Sequence, residues 1–309
     1  MSLAHRLEYG ALRGLTRALG FVPLSWAQRI GAAIATLGYA PLGIRRRVVV
    51  RQIAAAFPEL DEHAVRRLAR RAYGHLGRVV AEAALLPQLG RDGVLGLFES
   101  EQGFDAIERV VAEGRGVILI TGHLGNWELA GAYVAARGIP IEVIARRLNN
   151  PLVDAYVTRT REAAGMRVVY DADAVRRTPR ALREGHAVAF VADQGVLGLA
   201  STFVPFFGRP AKTPRGAAVF ALRFGIPAFF VAAVVAESGR YRCVATPIPV
   251  RDTGDREADV DAFVAAHTAV LEEWVRKHPE QYFWHHRRWR RQPPDTPAEL
   301  RDPVLEESR

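Results

Sequence analysis

Short uninterrupted apolar runs and longer amphipathic stretches take turns along most of this chain. Residues 116–121, 139–145, 166–170, 187–192, 227–236 and 241–247 read as strands, and residues 104–113, 151–164, 178–184, 214–224 and 258–277 as helices. Continuous apolar strands alternating with helices imply a sheet covered on both faces. The expected fold is therefore α/β, a mostly parallel central sheet flanked by helices. Ahead of it, residues 61–86 form a long amphipathic helix started by Asp61 or Glu62. Val65, Leu68, Ala72, Leu76, Val79 and Val80 mark its apolar face, and Arg66, Arg67, Arg70 and Arg71 its basic face. Residues 90–103 read as a Gly-rich connection. The tail from Gln292, with several prolines and mixed charge, is expected to be loosely ordered.

The N-terminus follows a different pattern. Arg6, Glu8, Arg13 and Arg17 interrupt residues 1–19, which leaves no apolar core for a cleaved signal peptide. Residues 21–42 are more apolar, but the longest uncharged piece, residues 30–44, is short for a span of about 20 residues. The expectation is two helices lying in or on a membrane interface, with Trp26 and Tyr39 near the headgroups and arginines facing anionic lipid. A pair of ordinary core helices, or a single tilted span, would fit the same composition. The division expected is residues 1–47 as membrane-associated helices, 48–291 as the α/β domain and 292–309 as the tail.

One stretch concentrates the chemistry. The apolar run 116–121 feeds the polar turn Gly122-His123-Leu124-Gly125-Asn126-Trp127-Glu128, after which an Ala-rich helix begins. This is a buried strand, a sharp loop and a helix N-terminus. Asn126 is placed as the N-cap, and Glu128 sits where the helix dipole favours negative charge. On one continuous helix His123 and Glu128 would stand about 140° apart, so they can meet only if the loop folds the imidazole back. Glu128 would then hold one ring nitrogen and leave the other to accept a proton from a hydroxyl. Alternatively His123 simply ends the strand and Glu128 complements the dipole.

Composition narrows the partners. The 309 residues carry a formal net charge of +9, which favours an anionic partner: nucleic acid, an anionic membrane or an acidic carrier protein. The hydrophobic fraction of 49% is that of a folded protein. Cys243 is the single cysteine, which rules out an intrachain disulfide and a cysteine-based zinc cluster; its apolar neighbours make it a core residue. G-x-S-x-G, H-E-x-x-H, G-x-x-x-x-G-K-[ST] and G-x-G-x-x-G are all missing, which argues against a serine hydrolase, a zinc hydrolase and a nucleotide-binding enzyme. A non-catalytic basic membrane binder would explain the charge but not the His–Glu loop.

Further motifs follow in order: Arg146-Arg147-Leu148-Asn149-Asn150-Pro151-Leu152, Thr158-Arg159-Thr160-Arg161, Ala192-Asp193-Gln194-Gly195, Phe203-Val204-Pro205-Phe206-Phe207-Gly208 with Lys212-Thr213-Pro214, and Pro279 to Trp289 with Arg287 and Arg288. Together with HLGNWE they resemble the late acyltransferases of lipid A biosynthesis, of the lauroyl/myristoyl type. That group is related to the phosphatidylinositol mannoside acyltransferases and to the glycerolipid acyltransferases with their Hxxxx(D/E) box. The resemblance runs from Trp26 to Arg291 and implies O-acyl transfer. The donor would be an acyl carrier protein or coenzyme A thioester, and the acceptor an anionic lipid: a lipid A precursor first, another phosphoglycolipid or a lysophospholipid second. The place would be the cytoplasmic face of an inner membrane, with peripheral attachment or a single N-terminal anchor, and no cofactor, metal or nucleic acid is implied.

The site residues it implies are His123 as base, Glu128 as its orienting partner, and Arg161 and Asp193 beside them; Asp193 could pair with Arg161 or support His123. Gly125, Asn126, Arg146, Gln194, Phe206, Lys212, Arg287 and Arg288 would contact substrate, with Phe206 in an acyl-chain wall and Arg287 and Arg288 clamping an anionic headgroup. The Gly122–Gly125 amides, or a nearby arginine, would stabilise the tetrahedral oxyanion.

Overall fold

The computed structural model describes residues 2–195 and 198–304. Two helices come first, α1 (Leu3–Leu19) and α2 (Leu24–Tyr39), followed by α3 (Arg46–Ala56) and the long α4 (Glu62–Gly96). Asp61 caps α4, accepting a hydrogen bond from the Ala64 N–H at 2.7 Å. The helix continues ten residues past the expected end at residue 86, with a break at Gly90, whose φ of 62° suits glycine. Much of the expected connection is therefore helix.

From there strands and helices alternate: β1 (Phe98–Gln102), α5 (Phe104–Ala112), β2 (Val117–Thr121), α6 (Trp127–Ala136), β3 (Ile141–Ala145), α7 (Pro151–Ala163), β4 (Met166–Tyr170), α8 (Asp171–Arg183) and β5 (Ala187–Val191). A hairpin of β6 (Ser201–Phe206) and β7 (Arg209–Pro214) comes next, then α9 (Gly216–Phe224), β8 (Ala228–Val235), β9 (Tyr241–Ile248) and α10 (Arg256–Lys277). The seven-stranded sheet runs β1-β9-β8-β2-β5-β3-β4 and is parallel except at β8–β9.

Both faces of that sheet are covered, and β2 shows how. Val117 and Leu119 belong to the apolar cluster that packs against α5 and α6, whereas Ile118 and Ile120 point into the opposite cluster with α3, α9 and α10. Successive strand side chains point to opposite faces, so an uninterrupted apolar run is what a two-sided strand needs. Strand β1 escaped the sequence reading because only Phe98 in it is buried; an edge strand with four exposed positions has little apolar signal. Helix α8 begins seven residues earlier than expected, before its internal Pro179.

No helix among the described residues is long and apolar enough to cross a membrane, so the tilted span is not built. Instead α2 lies against α4 at a glycine pair: a Cβ on Gly31 would come within 2.4 Å of the Gly77 carbonyl. Its outer side leaves Trp26, Ile34 and Leu37 exposed. Residues 292–304 of the tail also differ from expectation, because Thr296 and Asp302 are buried and Gln292 hydrogen-bonds Pro210 and Leu300; residues 305–309 lie outside the described residues.

Candidate functional site

The register of two strands creates the site. β2 and β5 are adjacent and parallel, with Thr121 opposite Val191. Two residues beyond each lie His123 and Asp193, so the sheet delivers the imidazole and the carboxylate side by side at its C-terminal edge, where α/β sheets carry their sites. Asp193 Oδ1 is 2.7 Å from His123 Nδ1, and Oδ2 accepts the His123 backbone N–H at 3.0 Å. Asp193 is buried, whereas the His123 side chain keeps 22% exposure. Burial by itself would raise the Asp193 carboxyl. The adjacent imidazole, two hydrogen bonds from His123 and the more distant Arg288 outweigh burial and hold it well below its ordinary value.

Glu128 does not take the expected place on the imidazole. It binds Arg161 of α7 bidentately, Oε2 to Nε at 2.8 Å and Oε1 to Nη2 at 2.5 Å. The geometry of α6 explains this: Asn126 caps the helix, its Oδ1 accepting from the Leu129 N–H at 2.9 Å, so Glu128 stands in the first turn facing α7. Burial would lower the Arg161 pKa, but the hydrogen bond and charge of Glu128 raise it on balance, so this guanidinium stays charged. His123 and Glu128 thus belong to two separate pairs, His123–Asp193 and Glu128–Arg161, in place of one His–Glu pair.

The loop itself is held rigidly. Gly125 has φ 59°, and a Cβ there would lie 1.9 Å from the Ala233 carbonyl, so only glycine fits. Its N–H donates to the Gln281 carbonyl at 2.9 Å, that of Leu124 to Gly122, that of His123 to Asp193 and that of Asn126 to Ala233. Of the Gly122–Gly125 loop expected to hold the oxyanion, the amides of residues 123, 124 and 125 are therefore spent inside the fold. From the C-terminal segment, Phe283 donates its N–H to the His123 carbonyl at 2.9 Å. Its ring and that of Trp127 flank the imidazole, with centroids at 5.7 and 4.7 Å. Gln194 lays its amide nitrogen across the imidazole, 3.2 Å from Nδ1 and 3.4 Å from Nε2.

Two residues absent from the sequence reading support the loop from α4. His75 Nε2 meets the Gly125 carbonyl at 3.0 Å; burial pushes its pKa down, so a neutral ring donates its N–H there. Glu82 is completely buried and accepts hydrogen bonds from Gln28 of α2, Arg78, Asn126 and Tyr241. Both sit in a helical pattern that reads as face and turn spacing only, and nothing local marks them.

Several expected substrate contacts lie elsewhere. Phe206 is wholly buried in an aromatic cluster with Phe207, Tyr282 and Trp289, so it is core rather than an open wall. Arg288 is buried too, donating to the Lys212 carbonyl and Thr213 Oγ1, each at 2.6 Å, behind Asp193. Arg287 is tied to Asp302 of the tail at 2.5 Å. Neither arginine is free to clamp a headgroup. Arg146 is exposed after β3 and Lys212 is half-buried on β7. Away from the site, Glu142, Glu184 and His186 bring donor atoms within 4.8 Å of one another, but Arg177 already grips Glu142 with both guanidinium arms.

A paired imidazole and carboxylate at parallel strand ends form an arrangement able to take a proton from a hydroxyl, and the helix that follows carries the Glu of a fixed Arg–Glu pair in its first turn. The family model for bacterial lipid A biosynthesis acyltransferases matches residues 6–291, and the chain belongs to that family. It is 25% identical to the lipid A biosynthesis lauroyltransferase of Escherichia coli K12 over 281 residues, which is 90% of this chain and 89% of that protein. The lipid A biosynthesis palmitoleoyltransferase of the same strain is 26% identical over 85% of both chains. The phosphatidylinositol mannoside acyltransferase of Mycolicibacterium smegmatis is 27% identical over 72% of each.

Proposed function

We propose that this protein transfers a fatty acyl chain from an acyl thioester to a hydroxyl of a lipid A precursor, with His123 as general base. The observation that carries the reading is the His123–Asp193 contact at 2.7 Å within a chain of this family. Asp193 accepts the Nδ1 proton and so fixes the tautomer, which leaves Nε2 with a lone pair directed outward. The acceptor hydroxyl approaches Nε2 in the plane of the ring and gives its proton to it as its oxygen attacks the thioester carbonyl. The tetrahedral oxyanion collapses, the C–S bond breaks, and the thiolate leaves with the proton from the imidazolium. No covalent acyl-enzyme is needed.

Glu128 serves through Arg161 in this reading. The carboxylate fixes the guanidinium with Nε and Nη2, leaving Nη1 for the oxyanion or for a phosphate on either substrate. The first-turn N–H groups of α6 add positive potential. The donor is an acyl carrier protein or coenzyme A thioester, and the protein works on the cytoplasmic face of the inner membrane. It attaches there peripherally through exposed Trp26, Ile34 and Leu37 of α2. The mycobacterial relatives support a second reading, with a mannosylated phosphoglycolipid as acceptor and the same chemistry.

Mass spectrometry of lipid acceptors incubated with the protein and mixed acyl thioesters tests this, beside His123→Ala. New acylated lipid A precursor with wild type alone supports both reaction and base. Acylation of the other glycolipid moves the acceptor. Free fatty acid alone indicates a thioesterase, and no turnover with any donor returns the protein to the non-catalytic binder.

A further inference from the structure

An open hollow lies between α1, α4 and α7, outside the His123 site. It has a volume of about 220 Å³ and is lined by Arg13, Thr16 and Arg17 of α1, Ala84 and Gln88 of α4, and Tyr156 of α7. Arg13 and Arg17 stand one turn apart, both exposed. Like charges at that spacing disfavour a helix, and no acidic residue follows Glu8 in α1; Glu8 itself is engaged by Asn150. Neither guanidinium has a carboxylate partner among the described residues. The helix dipole accounts for Arg17 in the last turn but not for Arg13.

Neutral groups line the rest of the hollow. The Gln88 amide packs over the end of α1, so close that a Cβ on Gly20 would be 2.7 Å from Nε2. The Tyr156 hydroxyl donates to Thr16 Oγ1 at 3.0 Å, and the Thr16 hydroxyl donates to the Arg13 carbonyl at 3.1 Å. That closes the floor with satisfied hydroxyls and no acid. Two guanidinium forks and an amide N–H around such a hollow match an oxyanion with several oxygens.

We propose that the α1–α4–α7 hollow binds the phosphate of a phosphate ester, carried either by a lipid headgroup or by a soluble ester. The site is independent of the reaction at His123, so failure of either leaves the other standing.

Binding of the full chain to inorganic phosphate, to glycerol phosphate, and to phosphatidylcholine vesicles with and without phosphatidylglycerol tests this. Three variants are compared at one salt concentration. R13Q/R17Q removes the forks, Ala84→Phe fills the hollow at unchanged charge, and R67Q/R70Q removes equal charge from an exposed face of α4. The first two are expected to weaken binding about tenfold or more and the third less than about twofold. Thermal unfolding in phosphate-free buffer checks that each variant folds, and Gln88→Leu replaces Ala84→Phe if that one does not. Binding to anionic vesicles alone, sensitive to Ala84→Phe, assigns the lipid headgroup; equal binding of glycerol phosphate assigns a soluble ester to the same site. Equal losses in R13Q/R17Q and R67Q/R70Q with none in Ala84→Phe would show diffuse charge attraction and overturn the site, as would no binding of any probe.

Discussion

At the scale of single residues, the partner of His123 is the point on which the chemistry turns. Because Asp193, and not Glu128, holds the ring, the two carboxylates have separable effects. His123→Ala should lower kcat/KM by about 10²–10⁴-fold in a protein that still folds, with a lowered melting temperature because buried Asp193 loses its partner. Asp193→Asn should lower kcat by about 10²-fold, since a neutral amide neither fixes the tautomer nor stabilises the imidazolium. Glu128→Gln frees a charged Arg161 from its fork, so it should raise KM for an anionic substrate more than it lowers kcat. Steady-state kinetics on the three variants distinguishes these patterns. A Glu128→Gln variant that matches His123→Ala in kcat with unchanged KM would return Glu128 to the imidazole.

Elements then fix what residues can do. The loop after β2 is pinned by β8 through Ala233, by the C-terminal segment through Gln281 and Phe283, and by α4 through His75 and Asn126's partner Glu82. Gly125→Ala therefore meets both a left-handed φ and a backbone clash, and should lose activity and stability together in a thermal melt with a parallel rate assay. Glu82→Gln removes the charge that satisfies Arg78, and losing one partner of a buried pair costs about 3 kcal/mol or more. A chemical denaturation midpoint unchanged from wild type would refute that accounting. Since Glu82 also receives Gln28, the same variant should loosen α2, readable as faster proteolysis within residues 24–39.

For the whole molecule, buried histidines set the acid response. Burial, with Arg288 nearby, lowers the His267 pKa to about 3; burial lowers His285 and His286 to about 4. The unfolded chain binds those protons near the ordinary 6.5 and the folded chain does not, so their contribution is complete above that value. It is lost progressively as pH falls from 6.5 towards 4. Asp193 has the depressed carboxylate, present as a stabilising charge above its ordinary 3.8 and lost only below it. Melting temperature should thus decline in two stages on acidification, the first reduced by His285→Phe and the second by Asp193→Asn. A profile flat from pH 7 to 4.5 would contradict the first stage.

The apolar runs by themselves determined the two-sided sheet, because a strand buried on both faces has no polar alternative and declares itself in sequence. The glycine-flanked His123 loop and the Asn126 cap were equally legible, since both rest on local backbone chemistry. Strand β1, the length of α4 beyond residue 86 and the packed tail were not, because their order comes from partners far away in the chain: β9, the sheet and the β7 region. Only the tertiary structure decided which carboxylate faces His123. Sequence spacing offered Glu128, five residues away, while the register of β2 against β5 brought Asp193 from seventy residues away. The same distance effect turned Phe206 and Arg288 from expected substrate contacts into core, for a side chain's exposure depends on what packs over it and not on its own type.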